Sequence, residues 1–291
     1  MKIEVRWLSQ QGTRTRDNRD YAGIGTRYGE FLGIVVDGAT NGETNGEYAR
    51  AIIEATVDWF VESADAWDID LVMHALGRIH ETLRKHFPKG SASIILLHIP
   101  EAGCLTVLSS GDCVLGTQDR KFDWQTTPHT LTNALAAMPL DVIAKSPTRH
   151  LLTQSFRSRE FMRPDVLVIE NAFGSYLLAT DGFWAELAES DQIAFLGGGR
   201  FTNIERDDRS VLQLQLSPGE PFRTSVEDHA SANLYARTGD TQSLLKGPRQ
   251  DLPPKISRLA ALVPQNEDPV AIKHLAKQTS HRFKIDVSTS A

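Results

Sequence analysis

Near the start of the chain, KIEVRWL (2–8) alternates apolar and polar residues with the period of a strand that buries one face. YAGIGTR (21–27) and EFLGIVV (30–36) follow as two more strands, divided by a turn at Tyr28-Gly29-Glu30. The period then lengthens: Ala49, Ile52, Ile53, Val57, Phe60 and Val61 share one helical face. Thr44 with Glu47 three positions on predicts a capping box at that helix's start. DLVMHALGRIHETLRKHF (70–87) predicts a second helix, stopped by Pro88. Strands resume in SASIILLHI (91–99), CLTVLSS (104–110) and CVLGT (113–117), then, after an irregular stretch at 121–163, in DVLVIE, SYLLATDGF and SVLQLQL (210–216).

Strand runs that flank a helical pair, without strict strand–helix alternation, predict α+β layering with mostly antiparallel sheets. After Leu216 the chain turns polar and rich in glycine and proline, which reads as a linker. ISRLAALV (256–263) and PVAIKHLAKQTSHRF (269–283) read as short helices beyond it. Two regions are therefore expected: a main domain over 1–216, and a linker with a short helical extension over 217–291.

Composition narrows the function classes. With 41% hydrophobic and 23% charged residues, the chain has what a cored soluble domain needs. A net charge of −6 and no basic stripe argue against nucleic acid as a partner. The longest apolar stretch, SIILLHI, is too short to cross a bilayer, so no membrane partner is expected. Cys104 and Cys113 match no metal or redox spacing, and the N-terminus alternates instead of forming a signal peptide's apolar segment. Both features predict a cytoplasmic protein. His74, His80 and His86 recur every six residues and make no zinc motif, and LGGGR (196–200) lacks the strand context of a nucleotide loop.

The candidate chemistry lies at the strand ends. The apolar run Ile34-Val35-Val36 ends in Asp37-Gly38, and a second run ends in Asp181-Gly182. Asp207-Asp208 precedes SVLQLQL, and Asp20 opens YAGIGTR. Each of these alone reads as turn chemistry. Together they can converge, because strand tips of one sheet or a sheet pair share an end. Two carboxylates about 4 Å apart repel by roughly 4 kcal/mol at an effective dielectric of 20. Hard divalent cations relieve that repulsion, and all-oxygen sites suit Mg²⁺ or Mn²⁺. Glycine after Asp37 lets its backbone carbonyl approach such an ion.

RTRDNRD (14–20), VVDGATNGETNGEYA (35–49), GSAS, SSGDCV, TTPHT, LLATDGFW and DDRSV follow one another along residues 2–216. The ordered set resembles the metal-dependent serine/threonine protein phosphatases of type 2C (PPM), as a divergent, bacterial-like member. The resemblance implies a four-layer α-β-β-α sandwich, two central antiparallel sheets flanked by helix pairs. It implies two Mn²⁺ or Mg²⁺ ions, with a third as an option. Asp37 would bridge the ions, the Gly38 carbonyl would bind one, and Asp181 and Asp207 would be direct ligands. Asp20 would be a ligand or an acceptor for water on the metal, and Arg14 or Arg16 would grip the substrate phosphate. Asp112 would be a supporting acid, with Asp208 in place of the family's Asn beside Asp207. His129, in TTPHT, reads as a turn histidine with a structural hydrogen bond. The substrate would be a phosphorylated protein, with a cognate kinase as a further candidate partner.

The chain departs from the pattern in ways that bear on activity. Arg19 stands where the family has Glu or Gln, placing positive charge beside the expected metals. The residue five before Asp20 is Thr15, with Arg14 and Arg16 on either side. The loop after Asp37 is one residue longer, with Thr40-Asn41 for a glycine pair and Ala39 for a histidine found in some members. GDSR is GDCV, and the helix before the last motif is shortened to about residues 192–206. Asp286 competes with Asp207 as the last acid, and Asp207 is preferred because a proper alternating strand follows it. The readings left open are a phosphatase acting on phosphoserine and phosphothreonine, a pseudophosphatase that serves as a regulatory binding module and, third, a small-molecule phosphohydrolase on the same scaffold.

Overall fold

The apolar runs in the middle of the chain become strands covered on both faces, as continuous hydrophobicity requires. In the computed structural model, which describes residues 1–119, 121–170, 173–201, 206–219, 222–228 and 233–239, they form two stacked sheets. The elements of the first half are β1 (Lys2–Gln10), β2 (Asp20–Arg27), β3 (Glu30–Gly38), α1 (Asn45–Glu62), α2 (Ile69–His86), β4 (Ser91–Ile99), β5 (Leu105–Ser110) and β6 (Val114–Gln118). The second half adds β7 (Phe122–Trp124), α3 (Leu140–Lys145), β8 (Phe156–Arg157), β9 (Asp165–Ile169), β10 (Gly174–Ala179), α4 (Asp181–Trp184), α5 (Glu189–Leu196), β11 (Arg209–Ser217), β12 (Arg223–Asp228) and β13 (Leu234–Gly239). One sheet runs β12-β1-β11-β10-β6-β7 and the other β13-β2-β3-β4-β5-β9, with β8 paired to β4.

Strand alternation sorts side chains into three apolar layers. Leu32, Ile34 and Val36 of β3, with Ile94 and Leu96 of β4, meet Ile52, Ile53, Val57 and Phe60 of α1 and Leu76 of α2. Their neighbours Phe31, Val35, Ile95 and Leu97 turn the other way, onto Trp7, Leu178, Leu212 and Leu214 of the facing sheet. Behind that sheet, Leu8, Leu177 and Val211 pack against Phe183, Trp184 and Phe195. The expected α+β sandwich is thus present. Its second helical layer is built from short pieces, because α4 has four residues and α5 eight.

Three local expectations are corrected. Thr44 caps α1 without a side-chain hydrogen bond, so no capping box forms. Asn45 ties the loop before the helix down in another way: its amide donates to the Ala39 and Asn41 carbonyls, and its Oδ1 accepts from Ser91 N–H. Residues read as linker after Leu216 contain β12 and β13, which join β1 and β2 in parallel at the sheet edges. The expected boundary at 216 therefore falls inside β11, and the sheets extend to Gly239. β12 carries mostly exposed residues and β13 only half-buried and exposed ones, so neither shows the apolar pattern by which a strand is recognised. The C-terminal helices and Asp286 lie outside the described residues.

Candidate active site

Antiparallel pairing of β2 with β3 sets Asp20 directly opposite Asp37, and β4 adds Ser93 on the far side of Asp37. Asp20 is 1% exposed; its Oδ2 accepts from Thr180 Oγ at 3.0 Å while its Oδ1, equally buried, has no hydrogen-bond partner. Asn233, just before β13, donates to the Asp20 carbonyl at 2.9 Å and fixes the backbone there. The tight turn after β5 brings Asp112 to the same end, where Ser93 Oγ donates to its Oδ1 at 2.6 Å. Asp181 opens α4 directly after β10, and Asp207 and Asp208 lead into β11. Gly182 is required here: a Cβ on it would lie 1.9 Å from the Asp208 carbonyl oxygen.

The electrostatics show that these acids share one region. Burial, then Asp20 and Asp181, push the Asp37 carboxyl well above the usual carboxylate range. Burial, then Asp208, do the same to Asp20. Burial and Asp112 raise Asp181, with Arg149 pulling the other way. Asp112 and Asp208 are raised chiefly by burial too. Even the neighbouring Cys113 thiol is pushed up, by burial and by Asp37. Burial together with like charges raises a carboxyl in this way.

Arginines occupy its other side. Arg149 Nη1 donates to Asp181 Oδ2 at 2.5 Å and its Nη2 to Glu186 Oε1 at 2.9 Å. Arg14 reaches the same Glu186 oxygen at 2.9 Å and Asp207 Oδ2 at 2.7 Å. The other Asp207 oxygen accepts from the Asp208 N–H. Asp208 in turn accepts from the N–H groups of Gly12 and Arg19, which pins the loop carrying Arg14. Arg16 is exposed and has no partner among the described residues. Arg19 does not face the acids: its Nη1 donates to the carbonyls of Ala39, Thr40 and Gly42 at 3.0, 2.9 and 2.7 Å. His129 holds the turn before Asp112 through the Gly111 backbone.

The residues fit a divalent cation in one place and not in another. All-oxygen donors, a buried Asp20 Oδ1 with no partner, and mutually raised carboxyls suit a hard cation at the Asp20–Asp37 edge. Asp181 and Asp207 already have guanidinium partners. Among the described residues no group of three or more His, Cys, Asp or Glu could hold a metal ion, the Asp20–Asp37 edge included, so a cation there would rest on two carboxylates and backbone oxygen. Arg149, Glu186 and Asn233 escape a reading of the sequence, because each lies outside any motif and arrives through the tertiary fold; Thr180 stands inside LLATDGFW, but nothing in that motif marks it as a partner of Asp20. Glu186, five residues past Asp181 in a short acidic segment, offers the only hint.

No family model matches the sequence, and no curated protein matches it significantly. Solved structures do. The serine/threonine phosphatase Stp1 of Staphylococcus aureus superposes with a TM-score of 0.62 at 13% identity, over 74% of this chain and 95% of that one. The fold is that of the PPM serine/threonine phosphatases. PstP/Ppp of Mycobacterium tuberculosis matches with a TM-score of 0.59 at 16% identity, over 74% of this chain and 99% of its own. A PstP catalytic domain in complex with two manganese ions matches at 0.56 and 18%, over 73% and 97%. Among the described residues no helix is long and apolar enough to cross a membrane.

Proposed function

We propose that the chain is a divergent PPM phosphatase that hydrolyses phosphoserine and phosphothreonine in cytoplasmic proteins with Mn²⁺ or Mg²⁺. The observation that carries the reading is the Asp20–Asp37 cross-strand pair, with one buried carboxylate oxygen unpartnered, on a PPM fold. Asp20 and Asp37 would hold the cation, with the Gly38 carbonyl beside them. When bound, a divalent cation there would lower the pKa of water and offset charge on a phosphate ester. Thr180 orients Asp20 through its hydroxyl, and Ser93 orients Asp112. Arg14, about one-third exposed, is the guanidinium placed to meet an incoming phosphate, once it releases Asp207 or Glu186. The structures of this fold named above are serine/threonine phosphatases, and the manganese-bound PstP is a protein phosphatase, which supports a phosphoprotein substrate.

A second reading, a pseudophosphatase that binds partners without turnover, is favoured by the arginine contacts on Asp181 and Asp207. Hydrolysis of p-nitrophenyl phosphate and of a phosphothreonine peptide separates the two. The enzyme reading expects Mn²⁺-dependent turnover that falls at least a hundredfold in Asp37→Asn. No turnover with either substrate, or full turnover in the variant, would leave the enzyme reading without support.

A further inference from the structure

We infer that Arg149 is the resident counter-ion of Asp181, so that a divalent cation can engage the Oδ2 oxygen of that carboxylate only by displacing a guanidinium. The inference rests on the metal-binding reading above and adds a competitor built into the chain. Four observations converge on it. Arg149 is 7% exposed and sits between the buried Asp181 and the partly buried Glu186, whose side chains are 6% and 9% exposed. The guanidinium fork spends one nitrogen on each acid, a geometry that a planar group holds and a lone ammonium does not. Glu186 is shared with Arg14, whose second nitrogen reaches Asp207, so two of the expected ligands are linked through one bridging carboxylate. Further groups hold Glu186 in place: Asp207 N–H donates to its Oε2 at 3.0 Å, and the Arg206 guanidinium donates to its carbonyl.

The pocket is divided accordingly. At the Asp20–Asp37 edge the only side chains assisting Asp20 among the described residues are the Thr180 and Ser210 hydroxyls. Its Oδ1 has no hydrogen bond of ordinary geometry, and no described arginine is bonded to either acid. At Asp181 and Asp207 guanidinium groups supply the positive charge that a cation would otherwise bring. His150, with Nδ1 3.9 Å from Asp181 Oδ2, is half exposed and does not close the gap. Arg149 therefore acts as a positioning residue for Asp181, holding it toward Glu186 and away from service as a ligand.

Counting bound Mn²⁺ by calorimetry and by equilibrium dialysis on the full chain tests this without any activity readout. Wild type is expected to bind one ion tightly. Arg149→Met is expected to bind one more, or to tighten the weaker site at least tenfold. Arg149→Lys, which keeps the charge and loses the fork, is expected between them. Equal stoichiometry and affinity in wild type and Arg149→Met would overturn the inference and leave the metal reading intact. No Mn²⁺ bound to either protein would overturn both. If Arg149→Met fails to fold, the arginine side-chain nitrogen resonances of wild type are followed during Mg²⁺ titration. Release of the Arg149 signal from its bonded position supports displacement, and an unchanged signal with Mg²⁺ bound refutes it.

Discussion

Arg19 illustrates how a single residue's role depends on where its side chain ends. In the sequence it is a cation inserted beside Asp20, which reads as interference with a metal site. In the fold it is 8% exposed and gathers three carbonyls of the loop after Asp37, those of Ala39, Thr40 and Gly42. That loop is one residue longer than the pattern it resembles, and the guanidinium holds it shut. Arg19→Met removes the donor while keeping most of the volume; Thr40 and Gly42 are exposed and the Ala39 carbonyl keeps the Asn45 amide, so the loss is about 1 kcal/mol. A lower urea midpoint with an unchanged slope is the expected outcome, and an unchanged midpoint would deny Arg19 this role. The strand-end acids were legible because an apolar run ending in Asp-Gly is a local signal. Arg149 was not, since it comes from an irregular segment and meets Asp181 only through packing.

At the level of elements, strands buried on both faces announced themselves and edge strands did not. β3 and β4 are almost wholly apolar, and both sit centrally. β12 is exposed on both faces and β13 is at best half-buried, so their sequences are polar and look like linker. What holds β13 is its pairing with β2 and a set of polar contacts to α1: Tyr235 OH donates to Asp58 at 2.7 Å, and Arg237 reaches Asp58 and Glu62. These strands cover edges of β1 and β2 that would otherwise present bare backbone groups, a standing risk of association. Chains ending at 216 and at 239 therefore differ. The shorter is expected to aggregate and to unfold at lower denaturant, and to lose the Asn233 brace on Asp20. Equal stability and solubility of the two on sedimentation and urea titration would return 217–239 to the status of a linker.

Across the whole molecule, three apolar layers fix the architecture, and a buried histidine far along the sheet from the acidic end makes its stability depend on pH. His98 is 1% exposed, stacked on Trp67 at a centroid distance of 3.8 Å, with neither ring nitrogen hydrogen-bonded. Arg27 of β2 and Phe60 of α1 pack around it, and Glu30 of β3, 3.5 Å away, is already paired with Arg27. Burial, then Arg27, lower its pKa to about 3. The unfolded chain protonates His98 near pH ~6.5 and the folded chain does not. Between those values the unfolded state holds the extra proton, so folding free energy is lost as pH falls from about 6.5 toward 3, by up to about 1.4 kcal/mol per pH unit. The raised carboxyls Asp20, Asp37 and Asp181 act in the opposite sense, taking up protons in the folded state as pH falls. Comparing His98→Gln with wild type by urea denaturation at pH 7.5, 6 and 5 separates the terms, because the acids are common to both. The variant is expected to be less stable at pH 7.5 and to lose less on acidification; parallel losses would show that His98 is not the group that titrates.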